Sequence, residues 1–288
     1  MKRPPALPVL CAAAALGLAT AGLIPACDAT PGALVRFETE IVPAPMPAAP
    51  GTGELDRLVL RGAEGDWEVR LLEARALVGP FYFFAPREVG GGLGTLGRIL
   101  VPVARAHGGD DNLDGVRIRG ELVEQVALDA LDPTPRRFGP LLGEGGAIAQ
   151  ASVFLDRPRG ELASPAGPTR GHHVWVRAEA RQGARVLRFA AGLGERPGVL
   201  DTPLKRRVDD VPVRGAAALA EGSVVRITAY PAAWLRFVDL DGLAADAEAG
   251  RNGSVDGDGV FVVDARSAAL AAMYLGVRDK EAFDVTVR

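Results

Sequence analysis

Strict period-2 alternation, recurring in short runs punctuated by Gly and Pro, most limits the folds open to this chain. In Trp67-Glu68-Val69-Arg70-Leu71 apolar and charged side chains alternate without a break, and the pattern returns in Val116-Arg117-Ile118-Arg119. Val174, Val176, Ala178 and Ala180 alternate with Trp175, Arg177, Glu179 and Arg181; Val225, Ile227 and Ala229 alternate with Val224, Arg226 and Thr228. A strand turns successive side chains to opposite faces, so these runs predict half-buried strands with one polar face, the habit of antiparallel sheets. Turns such as Arg181-Gln182-Gly183-Ala184 and Asp256-Gly257-Asp258-Gly259 separate them. Phe81-Tyr82-Phe83-Phe84, between Pro80 and Pro86, reads as a buried strand, and Trp234 with Leu235 and Phe237 as a strand edge. The Ala-rich segment Asp264 to Gly276, with an acidic start and a closing glycine, predicts a helix. Glu121 to Leu131 fits a helix or a strand continuing from Val116. The expected fold is mainly β: an antiparallel β-sandwich with long Gly/Pro-rich loops and one or two short helices.

The N-terminus has a different character. Met1-Lys2-Arg3 is a short positive start, Leu7 to Ala26 carries no charge, and Val9 to Ala21 is dominated by Ala, Leu, Val and Gly. This has the form of a signal peptide, its apolar centre too short for a comfortable membrane span. It ends in Leu23-Ile24-Pro25-Ala26-Cys27, which resembles the lipobox of bacterial type II signal peptides. The resemblance covers the first tenth of the chain and implies cleavage before Cys27 and acylation of that cysteine. The domain would then be lipid-anchored to the inner or outer membrane of a bacterial envelope, facing the periplasm or the cell surface. A secretory peptide cut nearby, leaving Cys27 a free thiol, and an uncleaved anchor are the alternatives. The chain divides accordingly into a signal peptide (1–26), the cysteine with a first strand and a Pro-rich linker (27–53), and a β-rich domain (54–288). The Pro/Gly-rich stretch Arg157 to Gly171 allows a sub-boundary near 160–170.

Cys11 leaves with the signal and Cys27 takes lipid, so the remaining domain has no thiol for a disulfide, a thiolate metal site or a cysteine nucleophile. The formal net charge of −3 becomes two units more negative without Lys2 and Arg3, and no basic tract suggests nucleic acid.

Three motifs bear on function. Gly92-Leu93-Gly94-Thr95-Leu96-Gly97 is a literal dinucleotide-binding pattern, but Pro102 follows too soon for the required helix, and a flexible glycine loop is the better reading. Asp110, Asn112, Asp114, Gly115 and Glu121 match the skeleton of a calcium loop. Arg117 and Leu113 depart from that pattern, and an acidic loop leading into a strand explains the same residues. His107, His172 and His173 are the only histidines. Neutral imidazoles suit copper or zinc; alternation from Val174 puts His172 on the core side and His173 beside Trp175, so one of them would pair with His107. Catalytic parts are scarce: none of Ser152, Ser164, Ser223, Ser254 and Ser267 lies in G-x-S-x-G, and H-E-x-x-H is absent. Glu38 and Glu40 share a strand face, where solvation accounts for them. The expectation is a non-enzymatic envelope lipoprotein, a binding or structural module whose partners are the membrane through Cys27 and an envelope protein. A copper or zinc protein using His107 with His172 or His173 is one alternative, and a calcium-stabilised adhesion module is another.

Overall fold

The computed structural model describes residues 32–45, 57–86, 117–155, 158–194, 206–215 and 218–288. They are mainly β, as the alternation predicts. The strands are β1 (Leu34–Pro43), β2 (Arg57–Gly62), β3 (Gly65–Phe84), β4 (Ile118–Leu122), β5 (Val126–Asp129), β6 (Arg136–Glu144), β7 (Gly146–Ala147) and β8 (Gln150–Leu155). They continue as β9 (Val174–Gln182), β10 (Arg185–Leu193), β11 (Arg207–Arg214), β12 (Ala218–Leu219), β13 (Ser223–Ala229), β14 (Gly253–Val255), β15 (Phe261–Val263) and β16 (Phe283–Val287). Three helices accompany them: α1 (Pro231–Trp234), α2 (Leu240–Ala249) and α3 (Ala268–Val277). Glu121 to Leu131, open between helix and strand, supplies β4 and β5.

Fourteen strands join one sheet in the order β14-β15-β10-β9-β3-β8-β11-β16-β13-β1-β6, with β2, β4 and β5 also on β3. The sheet is mixed where one-faced alternation suggested antiparallel strands: β1 runs parallel to β13, β10 to β15 and β11 to β16. Alternation reports which face is buried and is silent on the direction of the neighbour.

β3 organises the sheet. Its first half turns Trp67, Val69 and Leu71 inward and Glu68, Arg70 and Leu72 outward; its second half is largely buried on both faces. One edge pairs with β9 and then β8, the other with β2, β5 and β4. The change of partners falls at Gly79, whose φ of 111° suits glycine, and a Cβ there would lie 2.2 Å from the Glu124 carbonyl oxygen. Beyond this point the path curls round until β6 lies beside β4. Arg119 Nη1 donates to the Gly145 carbonyl (3.0 Å), and Glu144 accepts from Arg117, Arg119 and the Gly32 N–H. Inside the curl Phe37 of β1 meets Phe83 of β3 edge to face, with ring centroids 6.1 Å apart.

The helices cover the inner face of the other wing, β2-β3-β9-β10. Trp67, fully buried, donates its indole N–H to Asp241 of α2 (2.8 Å). Asp239 caps α2 by accepting from the Asp241 and Gly242 N–H groups, and Gly250 ends it in the left-handed region. Expectation placed a strand edge at Trp234; instead Trp234 ends α1, fully buried. α3 starts later than the expected Asp264 because Ser267 is its cap and Asp264 accepts in the preceding turn.

Glu40 also departs from expectation. It is only 1% exposed, because β1 lies between β13 and β6 and arginines reach it from the middle of β13 and from just past the end of β16. Arg226, its register partner on β13, lies 3.3 Å away, and Arg288 bonds the other carboxylate oxygen. Replacing Phe83 with Ala would empty the inside of the curl, where it packs against Phe37. Urea unfolding should show a loss of about 3–5 kcal/mol, whereas Leu72→Ala on the outer face should change stability far less.

Candidate binding face

The wing whose inner face carries the helices has an outer face of charge. Register aligns Glu68 with Arg181, Arg70 with Glu179 and Arg188 with Glu179. A register shift between Leu71 and Glu73 then sets Glu73 opposite Arg177. Acid therefore faces base across β3, β9 and β10, the arrangement that stabilises cross-strand pairs. Glu179 accepts from Arg188 Nε (2.9 Å) and Arg181 Nε (2.9 Å), and these bonds, Arg188 first, hold its carboxyl below the usual carboxylate range. Glu68, Arg70, Glu179 and Arg181 line an open groove of about 100 Å³. Small-molecule sites run to several hundred Å³, so this groove is too small to enclose a drug-sized ligand.

The face ends at Trp175, which is only 7% exposed because polar groups cover it. Its indole N–H donates to Glu73 Oε2 (3.0 Å), the Arg170 guanidinium lies 4.9 Å from the ring centroid, and the His172 ring stacks at 5.4 Å with planes 23° apart. Glu73 also takes Arg170 (3.3 Å) and Arg177 (3.9 Å), and Arg177 reaches Asp258 in the β14–β15 turn (3.5 Å). Gly192, the register partner of Trp175, makes room for the histidine, since a Cβ there would come within 2.6 Å of the His172 ring. Together with the bond from Arg75 Nη1 to the Pro168 carbonyl (3.1 Å), these contacts pin the 158–173 connection to the sheet.

The histidines are oriented opposite to expectation. His173 is 1% exposed, its N–H donating to Leu193 O (2.7 Å) and its carbonyl accepting from the Leu77 N–H (2.8 Å). His172 is the one that lies against Trp175. Regular strand begins at Val174 after a series of turns, so the alternation read back from it does not extend to these residues. Burial pushes the His172 imidazole pKa down, and its Nδ1 is buried without a hydrogen-bond partner.

Among the described residues no three His, Cys, Asp or Glu side chains converge as a metal cluster would. Glu121 lies in β4 opposite Tyr82, half-buried. Cys27, the Gly92–Gly97 loop, His107, Asp110, Asn112 and Asp114 lie outside the described residues. The outward Trp175 among charges was visible in the sequence; its partners Glu73 and Arg170 were not, because nothing local links them.

The depressed pKa of His172 makes a pH prediction. Below about pH 6.5, the ordinary imidazole value, the unfolded chain takes up a proton that the folded ring resists. Stability from this group is therefore complete above that pH and is lost as pH falls. Melting temperature should drop between about pH 7 and 5.5, and His172→Phe should flatten that slope; an unchanged slope would assign it to other groups. Comparison of the chain with family models, with curated proteins and with solved structures finds no match in any of the three.

Proposed function

We propose that this chain is an exported lipoprotein of the bacterial cell envelope, held to a membrane by acyl chains on Cys27. Its β domain acts as a non-enzymatic binding module that meets an envelope protein through the outer face of β3, β9 and β10. The observation that carries the reading is the cross-strand charge lattice on an open surface, ending at the pinned Trp175. Exposed ion pairs contribute only about 0–1 kcal/mol each, so a partner with matching charges can exchange them at little loss. Complementary charge then sets orientation and association rate more than raw affinity. Mixed signs suit a protein better than a nucleic acid, which needs a one-signed basic surface. The anchor rests on the lipobox-like ending at Cys27, and more than one acyl chain on that residue would hold the protein stably.

Two measurements test the two halves of the proposal. In detergent phase separation of cell extracts, the native chain should enter the detergent phase and a Cys27→Ala chain should not; equal partitioning would remove the anchor. A photoreactive residue at position 70 should give a discrete adduct with one envelope protein, lost when Arg181 and Arg188 are changed to Glu. An adduct that survives the double charge reversal would contradict the role given to this face.

A further inference from the structure

The other end of the sheet carries an unexplained feature. β1 and β6 pair antiparallel, with Leu34 opposite Glu144 and Arg36 opposite Leu142. Val35, Phe37 and Leu141 turn toward the core, so Leu34, Arg36 and Leu142 face outward together. Leu34 and Leu142 are therefore diagonal neighbours on one face. They are also 78% and 68% exposed, the two most exposed large apolar residues among those described. Arg36 stands between them along β1, and Arg137 is exposed farther along β6. The adjacent exposed leucines form an apolar patch bordered by Arg36 and Arg137 and by two carboxylates, Glu144 opposite Leu34 and Glu221, which accepts from the Arg36 N–H (2.7 Å). Adjoining exposed apolar side chains with a polar rim are the mark of an interaction surface.

The chain itself indicates what covers this patch. Leu34 opens β1 only seven residues after Cys27. At roughly 3.6 Å per residue, that length reaches at most about 25 Å. A lipid on Cys27 therefore keeps this end of β1 near the headgroup region, where apolar side chains gain by insertion and arginines by meeting anionic lipid. We infer that the Leu34–Leu142 end of the β1–β6 face rests on the bilayer surface that holds the anchor, with Leu34 and Leu142 entering the headgroup layer. The inference rests on the lipid anchor proposed above. It adds an orientation: the Leu34–Leu142 end of β1 and β6 meets the membrane, while the charged face is carried by other strands, β3, β9 and β10.

The test uses the acylated full chain in native membranes. With Cys11 removed by processing and Cys27 acylated, Leu142→Cys supplies a single free thiol for an environment-sensitive fluorophore. Leu275→Cys on α3, where the native residue is 57% exposed, is the matched control. Emission from position 142 should shift to shorter wavelength and be quenched by spin-labelled lipid, while position 275 should show neither effect. Mass analysis of the mature N-terminus separates the two levels of the argument. If Cys27 carries no acyl chain, the anchor and this inference fall together. If it is acylated and position 142 behaves like position 275, the membrane contact alone is overturned. A label shielded from water yet untouched by the lipid quencher would mean that protein covers the patch, and would also overturn it.

Discussion

The backbone of β3 hydrogen-bonds along both edges to five other strands, and this double pairing is what makes one sheet out of two differently built halves. Up to Leu72 the strand has one buried and one outward, mainly charged face, with helices packed over the buried side. After it, both faces are largely covered and the neighbours curl until β6 comes round beside β4. An edge strand could serve only one of these halves; a strand paired on both sides has to satisfy both registers. The register shift at Leu71/Glu73 carries the same demand into the candidate site, because it sets Glu73 opposite Arg177 and within reach of the Trp175 indole.

Carboxylates hold the places where chain segments from far apart must meet. Glu144 joins Arg117, Arg119 and the Gly32 N–H where the curl comes round, and Glu40 joins Arg226 and Arg288 across β1. Asp241 ties α2 to Trp67. Only Glu40 of these is buried, and its pairing is weak evidence for net stability, because desolvation offsets the attraction. Its effect is positional: leaving either charge alone in the interior is strongly unfavourable, so alternative registers are disfavoured. With no cysteine described in the domain, register depends on such pairs and on apolar packing.

The parts that were legible in the sequence are those governed by neighbours along the chain. Trp67 to Leu71 and Val174 to Arg181 were readable as strands because the face each residue takes follows from period 2. The α3 helix was readable from its alanines, although Ser267 rather than Asp264 supplies the cap. Strand direction was not readable, since β1 would show the same pattern beside a parallel or an antiparallel neighbour. Glu40 was misread because its partners lie 186 and 248 residues away, beyond any local pattern. α2 was not read from the sequence, although Asp239 and Gly250 stand at cap spacing around Leu240 to Ala249. The site divides in the same way, with Trp175 and its charged strand visible, and Glu73, Arg170 and the stacking of His172 set by the fold.

If β3 binds the curled end and the charged face into one frame, both halves should open together. Native-state hydrogen exchange of the β3 amides measures this directly. The account predicts that amides before Gly79, such as Val69 and Leu71, and those after it, such as Phe81 and Phe83, exchange with a common opening free energy equal to that of global unfolding. Two separate values, with one half of β3 opening while the other stays protected, would contradict it.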